Sequence, residues 1–158
     1  MPTTVREGAL VGLAGAAAVA IWFLIYDLAA GVPLRTPALL GAALFEGLRD
    51  PSALVITPML VLKYTIVHGI VFIAFGIGAA GLFALADRER RVLFGAFMLF
   101  CCFEVVFVLV VMVLAGWLLE ELPIWAILGA NLVAAVVMLS LLFRRHHRMP
   151  RELLSTGE

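Results

Sequence analysis

Apolar residues in this chain come in long unbroken runs, and the polar residues between them are confined to short segments. The first run, GALVGLAGAAAVAIWFLIY, begins at Gly8 and stops at Asp27. The second begins at Leu54 and continues to Ala86, where DRERR turns the chain. A third begins at Val92 and ends before EELP, and a fourth, from Ile124 to Phe143, stops at RRHHR. A helix rises about 1.5 Å per residue, so about 20 apolar residues cross a hydrocarbon core roughly 30 Å thick. All four runs reach that length and predict transmembrane helices at about 8–30, 54–86, 92–119 and 124–143. Arg6 followed by small apolar residues resembles a signal peptide, but the run is too long and ends in Trp22, Phe23 and Tyr26 rather than at a small-residue cleavage site. Pro58 is expected to begin or kink the second helix, since proline is tolerated in a first turn and disrupts a helix interior.

Between the first two runs the pattern changes. Thr36 followed by Pro37 suits a helix start, as N-cap and first-turn residue. Leu39, Leu40, Ala43, Leu44 and Leu48 then recur at helical spacing, predicting a short helix at about 37–48. It is too short to span, and polar residues at its ends (Arg35, Glu46, Arg49, Asp50) suggest an amphipathic helix lying in the interface. The predicted fold is all-α: a four-helix transmembrane bundle with one interfacial helix between spans 1 and 2. It forms a single domain over 1–158 whose tail, 144–158, is polar.

Composition adds one constraint. The chain is 65% hydrophobic and 14% charged, with a mean hydropathy of +1.15. Soluble domains have about 45–50% apolar and about 25% charged residues, so a soluble enzyme or binding module is excluded. The formal net charge is zero, and nucleic-acid binding, which needs a concentrated basic face, is not expected.

The distribution of charge says more than its sum. In a four-span topology Arg6, Arg88, Arg90, Arg91, Arg144, Arg145, Arg148 and Arg151 share one side, while Arg35, Arg49 and Lys63 share the other. The positive-inside rule then places both termini in the cytoplasm. A single lysine against ten arginines, with abundant Ala, Gly and Leu, suggests a GC-rich bacterial gene and hence an inner membrane.

Few polar side chains interrupt the spans. Glu104 is the only charged residue in 93–118. A charge at mid-helix costs about 3 kcal/mol on insertion scales, which argues that Glu104 faces other helices. Depth counting places Asp27, His68, Glu104 and Asn131 in one half of the bilayer, with Tyr64 on the face of His68. These five residues form a candidate ligand- or proton-binding cluster, because intramembrane ionisable residues are functional candidates by default. The alternative is a set of interhelical hydrogen bonds worth about 0.6–2 kcal/mol each. Gly8, Gly12, Ala16 and Ala20 form a small-residue ladder suited to close helix packing.

Catalytic chemistry is poorly represented. Cys101 and Cys102 are adjacent and lack metal-ligand spacing. His68, Glu104 and Asp27 could supply nitrogen and oxygen ligands, but no HExxH or ExxH pair occurs, so no metal site is predicted and no cofactor is assigned. His68 is the one histidine within a span. This argues against a bis-histidine haem in one chain and leaves open a single axial ligand or a site shared between subunits. His146 and His147 belong to a basic interfacial collar. The bilayer is the certain partner, with other membrane subunits or self-association next.

Three functions follow in order. The first is a non-catalytic subunit or scaffold of a larger membrane assembly. The second is a binding or transport protein for a proton, ion, quinone or other small amphiphile. The third is a cofactor- or metal-dependent redox protein. An enzyme is not the leading expectation.

Overall fold

The computed structural model describes residues 2–86 and 116–146. The chain is all-helical, with no strand among the described residues. We number the helices α1 (Pro2–Ala29), α2 (Arg35–Phe45), α3 (Pro58–Ala86), α4 (Gly116–Glu121) and α5 (Ile124–His146), with a single 3-10 turn at Pro51–Ala53 between α2 and α3. Three of them, α1, α3 and α5, are long and apolar enough to cross a membrane. The third predicted span, 92–119, lies outside the described residues apart from its last turn in α4, and with it lie Glu104, Cys101 and Cys102.

Helix bounds differ from the apolar runs in instructive ways. α1 starts at Pro2, six residues ahead of the run at Gly8. Hydrophobicity marks where hydrocarbon begins, whereas a helix can extend into polar surroundings. α3 starts at Pro58 rather than Leu54. The Thr57 Oγ1 accepts the Leu60 N–H at 3.3 Å, an N-cap that leaves proline at the first helical position, where its missing donor costs nothing.

α2 runs over 35–45 rather than 37–48, and Thr36 is not its N-cap. Leu34 takes that place in the left-handed region at φ 62°, and Thr36 sits inside the first turn. Gly47, at φ 67°, carries the chain out of α2. The Leu48 N–H returns to the Ala42 carbonyl at 3.2 Å. The helix does not lie free in an interface either. Its Thr36, Ala38, Leu39, Gly41 and Ala42 side is buried, and a Cβ added to Gly41 would come 2.7 Å from the Leu60 carbonyl oxygen of α3. Leu44 and Phe45 face outward.

α1 is the hub. Its Gly8 and Gly12 touch the α3 backbone so closely that a Cβ on Gly8 would lie 2.5 Å from the Ile77 Cα, and one on Gly12 would run into the Phe72 carbonyl oxygen. Gly76 of α3 reciprocates against Gly8 and Gly12. Such backbone approach is the familiar use of small residues between membrane helices. Residue 8 meets 76–77 while residue 16 meets 68, so α1 and α3 are antiparallel.

Against α5, Val11 packs with Met138 and Leu142, and Val19 with Ala130 and Ala134. The Trp22 Nε1 donates to the Ala126 carbonyl at 3.0 Å. α5 is therefore also antiparallel to α1, and α3 and α5 point the same way.

The small-residue ladder needs one correction. Gly8, Gly12 and Ala16 are buried, but Ala20 is exposed and Val19 takes the inner position. Each four-residue step overshoots a full helical turn by about 40°. Three steps rotate the stripe by about 120°, enough to carry residue 20 out of the contact.

Candidate functional site

The four described residues of the five singled out from the sequence, Asp27, Tyr64, His68 and Asn131, do not share one environment. Asp27, 2% exposed, lies in the last turn of α1 and points at the start of α2. One carboxylate oxygen accepts the Thr36 N–H at 2.8 Å and the other accepts the Thr36 hydroxyl at 2.6 Å. The first turn of a helix leaves its N–H groups unpartnered and favours negative charge, so Asp27 serves as an N-cap delivered from a neighbouring helix. Its own main-chain carbonyl accepts the Val32 N–H at 3.0 Å, tightening the connection that makes this possible.

His68 occupies a different level. Its Nε2 stands 3.3 Å from the Ala16 carbonyl of α1, and the tautomer with the proton on that nitrogen donates to it. Residues 16 and 27 are separated by about 16 Å along α1, so His68 and Asp27 belong to separate sites. Tyr64 stacks on His68 with ring centroids 5.7 Å apart, and Phe72 closes the other side at 4.6 Å. These contacts follow from i, i+4 spacing on α3. Asn131 is half-buried on α5, beside buried Ala130.

The α2 end holds further polar contacts that the sequence pattern did not bring out. Arg35, at the start of α2, forms an ion pair with Glu121 at the end of α4. Tyr26 meets Trp125 edge-on at 5.8 Å. Trp22 and Trp125 thus tie α1 to the start of α5. Lys63 holds its ammonium 5.7 Å from the Phe45 ring centre, a cation–π distance. Between α2 and α3, Asp50 accepts both the Ser52 hydroxyl at 2.7 Å and its N–H at 2.9 Å. These bonds hold its carboxyl below the ordinary aspartate range.

A signal for the Asp27 cap was present: an acidic residue ends one helix, and a short connection leads to the unpartnered N–H groups of the next. The Arg35–Glu121 pair had none, because 86 positions separate its members.

Among the described residues no three His, Cys, Asp or Glu side chains converge so as to hold a metal ion. Comparison with protein-family models, curated proteins and solved structures finds no match for this chain.

Proposed function

We propose that this chain is a four-span membrane protein acting as a non-catalytic subunit or scaffold of a larger membrane assembly. The observation that carries the reading is how its polar residues are used. Asp27 is consumed in capping α2 and His68 touches a backbone carbonyl of α1. Meanwhile the most apolar window of α3 is only 11% buried. Polar groups bind the helices to one another, and the outward surface is available to lipid and to other membrane helices.

The four-span count rests on direction. α3 and α5 run parallel, so the chain between them has to return from one end to the other. The apolar run 92–119 is long enough to do so through the membrane, at about 1.5 Å per residue. The arginine distribution supports termini on the cytoplasmic side of a bacterial inner membrane.

Native mass spectrometry of protein extracted gently from its own membrane tests the subunit reading. A mass including other polypeptides in fixed stoichiometry is the expected result, and a bare chain would contradict it. The half-buried His68, held between Tyr64 and Phe72, supports a second reading: binding of a small planar amphiphile such as a quinone. A retained small molecule that is lost in His68→Phe would favour that reading instead.

A further inference from the structure

Where α2 ends beside the start of α3, the two helices present one apolar surface. Gly41 lies against the Leu60 carbonyl. Phe45, one helical turn further on, meets α3 at Lys63, whose ammonium stands 5.7 Å from the ring centre. On α3, Met59, Leu62, Lys63, Ile66 and Ile70 recur at steps of three and four residues and so share one face. Met59 (59% exposed) and Leu62 (54%) are as open as Ile66 (53%) and Ile70 (61%) further along the helix. Leu44 and Phe45 are exposed as well and carry that face sideways onto α2. A contiguous exposed apolar surface marks contact with a protein or a membrane. Its border is abrupt, because Glu46, Arg49, Asp50 and Ser52, all exposed, follow directly in the chain.

We propose that this surface is seated in the lipid of the leaflet on the α2 side. The C-terminal half of α2 is then a lipid-embedded wedge beside α3, with residues 46–52 at headgroup level. Three observations select lipid over a polypeptide. The face continues without a break into the outward stripe of a helix long and apolar enough to cross a membrane. Lys63 lies within it and forms no ion pair among the described residues. Under a protein partner that ammonium would be stranded away from water. In a leaflet its carbon stem follows the hydrocarbon and the charge reaches the headgroups. Finally, Glu121 of α4 is tied to Arg35 at the opposite end of α2, about 15 Å along the helix from Phe45, which holds α4 away from the patch. The sidedness differs from the one the sequence suggests: Leu39 of the predicted apolar stripe is fully buried, and lipid contact falls to Leu44 and Phe45. Interfacial helices bury their apolar face about 5–10 Å into the headgroup–acyl boundary, and that is the depth expected for Leu44 and Met59.

The inference is independent of the subunit reading, which stands or falls on the mass of the extracted particle. Its test uses the full chain, with any polypeptide that co-purifies, in vesicles of phosphatidylcholine and phosphatidylglycerol. Cys101 and Cys102 are replaced by serine, and a single nitroxide label is attached at Leu44→Cys, Met59→Cys, Ile66→Cys or Ser52→Cys. Power-saturation electron paramagnetic resonance reads access to oxygen, which concentrates in hydrocarbon, and to a neutral nickel chelate, which stays in water. The labels at positions 44 and 59 should show an oxygen-to-nickel ratio well above that at position 52 and close to that at position 66. A ratio equal to that at position 52 would put the face in water and overturn the proposal. Loss of access to both reagents would show cover by protein, a second copy or another subunit, and would overturn it equally. If Leu44→Cys or Met59→Cys does not fold, Leu62→Cys is read in its place by the same criteria.

Discussion

At the end of the bundle where α2 docks, polar atoms make the decisive contacts: Asp27 to Thr36, Arg35 to Glu121, and Trp22 to the Ala126 carbonyl. At the opposite end no comparable polar link joins α1 to α3 among the described residues. There, Gly8, Gly12 and Gly76 let two backbones touch, and Val11, Ala80, Met138 and Leu142 fill the space beside them. The two ends therefore fail differently. Steric contact tolerates no added atoms and is indifferent to charge. Polar contact tolerates changes in shape but leaves a buried group unsatisfied when one partner is removed.

The largest expected effect breaks the steric end. Gly12→Leu drives a side chain into the α3 backbone, where no flexible group can yield, and should cost about 3 kcal/mol or more. Ala20→Leu, one ladder step beyond the contact, should remain within about 0.5 kcal/mol of wild type. Thermal unfolding in detergent followed by circular dichroism compares the two, and equal losses would show that the seam has been misplaced.

At the polar end, Asp27→Ala strands the Thr36 N–H and hydroxyl and should cost about 1–3 kcal/mol, with Asp27→Asn milder because it keeps an acceptor. Faster amide hydrogen exchange confined to the first turn of α2 would identify the cause as lost capping. The Arg35–Glu121 pair is partly exposed, at 34% and 27%, so a double-mutant cycle with Arg35→Gln and Glu121→Gln should give a coupling of no more than about 1 kcal/mol, weakened by salt.

The smallest effect concerns Asp50. Its folded-state pKa is depressed by Ser52, so the stability it lends is present above the unfolded-state value and is lost as pH falls through the folded-state one. Asp50→Asn should therefore differ from wild type at neutral pH and converge with it in strong acid. An acid-side stability profile with parallel curves would contradict this.

How much of this was readable in advance follows the same division. Gly8, Gly12 and Ala16 were legible because steric packing repeats along one helix and leaves a periodic trace. Ala20 was not, because an integer ladder drifts against a 3.6-residue turn. Asp27 was legible as a polar residue near a helix end with a short connection to the next helix, but that Thr36 is its partner was not. Thr36 looked like a cap in its own right, and only the fold shows that it receives one. Arg35 and Glu121 lie too far apart in sequence for any local pattern to pair them. The candidate cluster failed to gather Asp27 with His68 because depth estimated separately on each helix does not fix which faces meet. Hydropathy located three long helices but misplaced the starts of two, since Pro58 with Thr57, and not the onset of apolar residues, begins α3.

The contrast between the two ends presumes that they lie on opposite sides of a membrane, with α2 and α4 together on one side. Single cysteines placed in a chain whose Cys101 and Cys102 are serine, and labelled in sealed vesicles with a membrane-impermeant maleimide, test this directly. The account predicts that Ser52→Cys and Glu120→Cys react from the same side, and that Thr3→Cys and Arg144→Cys react only from the other. Labelling of Glu120→Cys together with Thr3→Cys from a single side would contradict it.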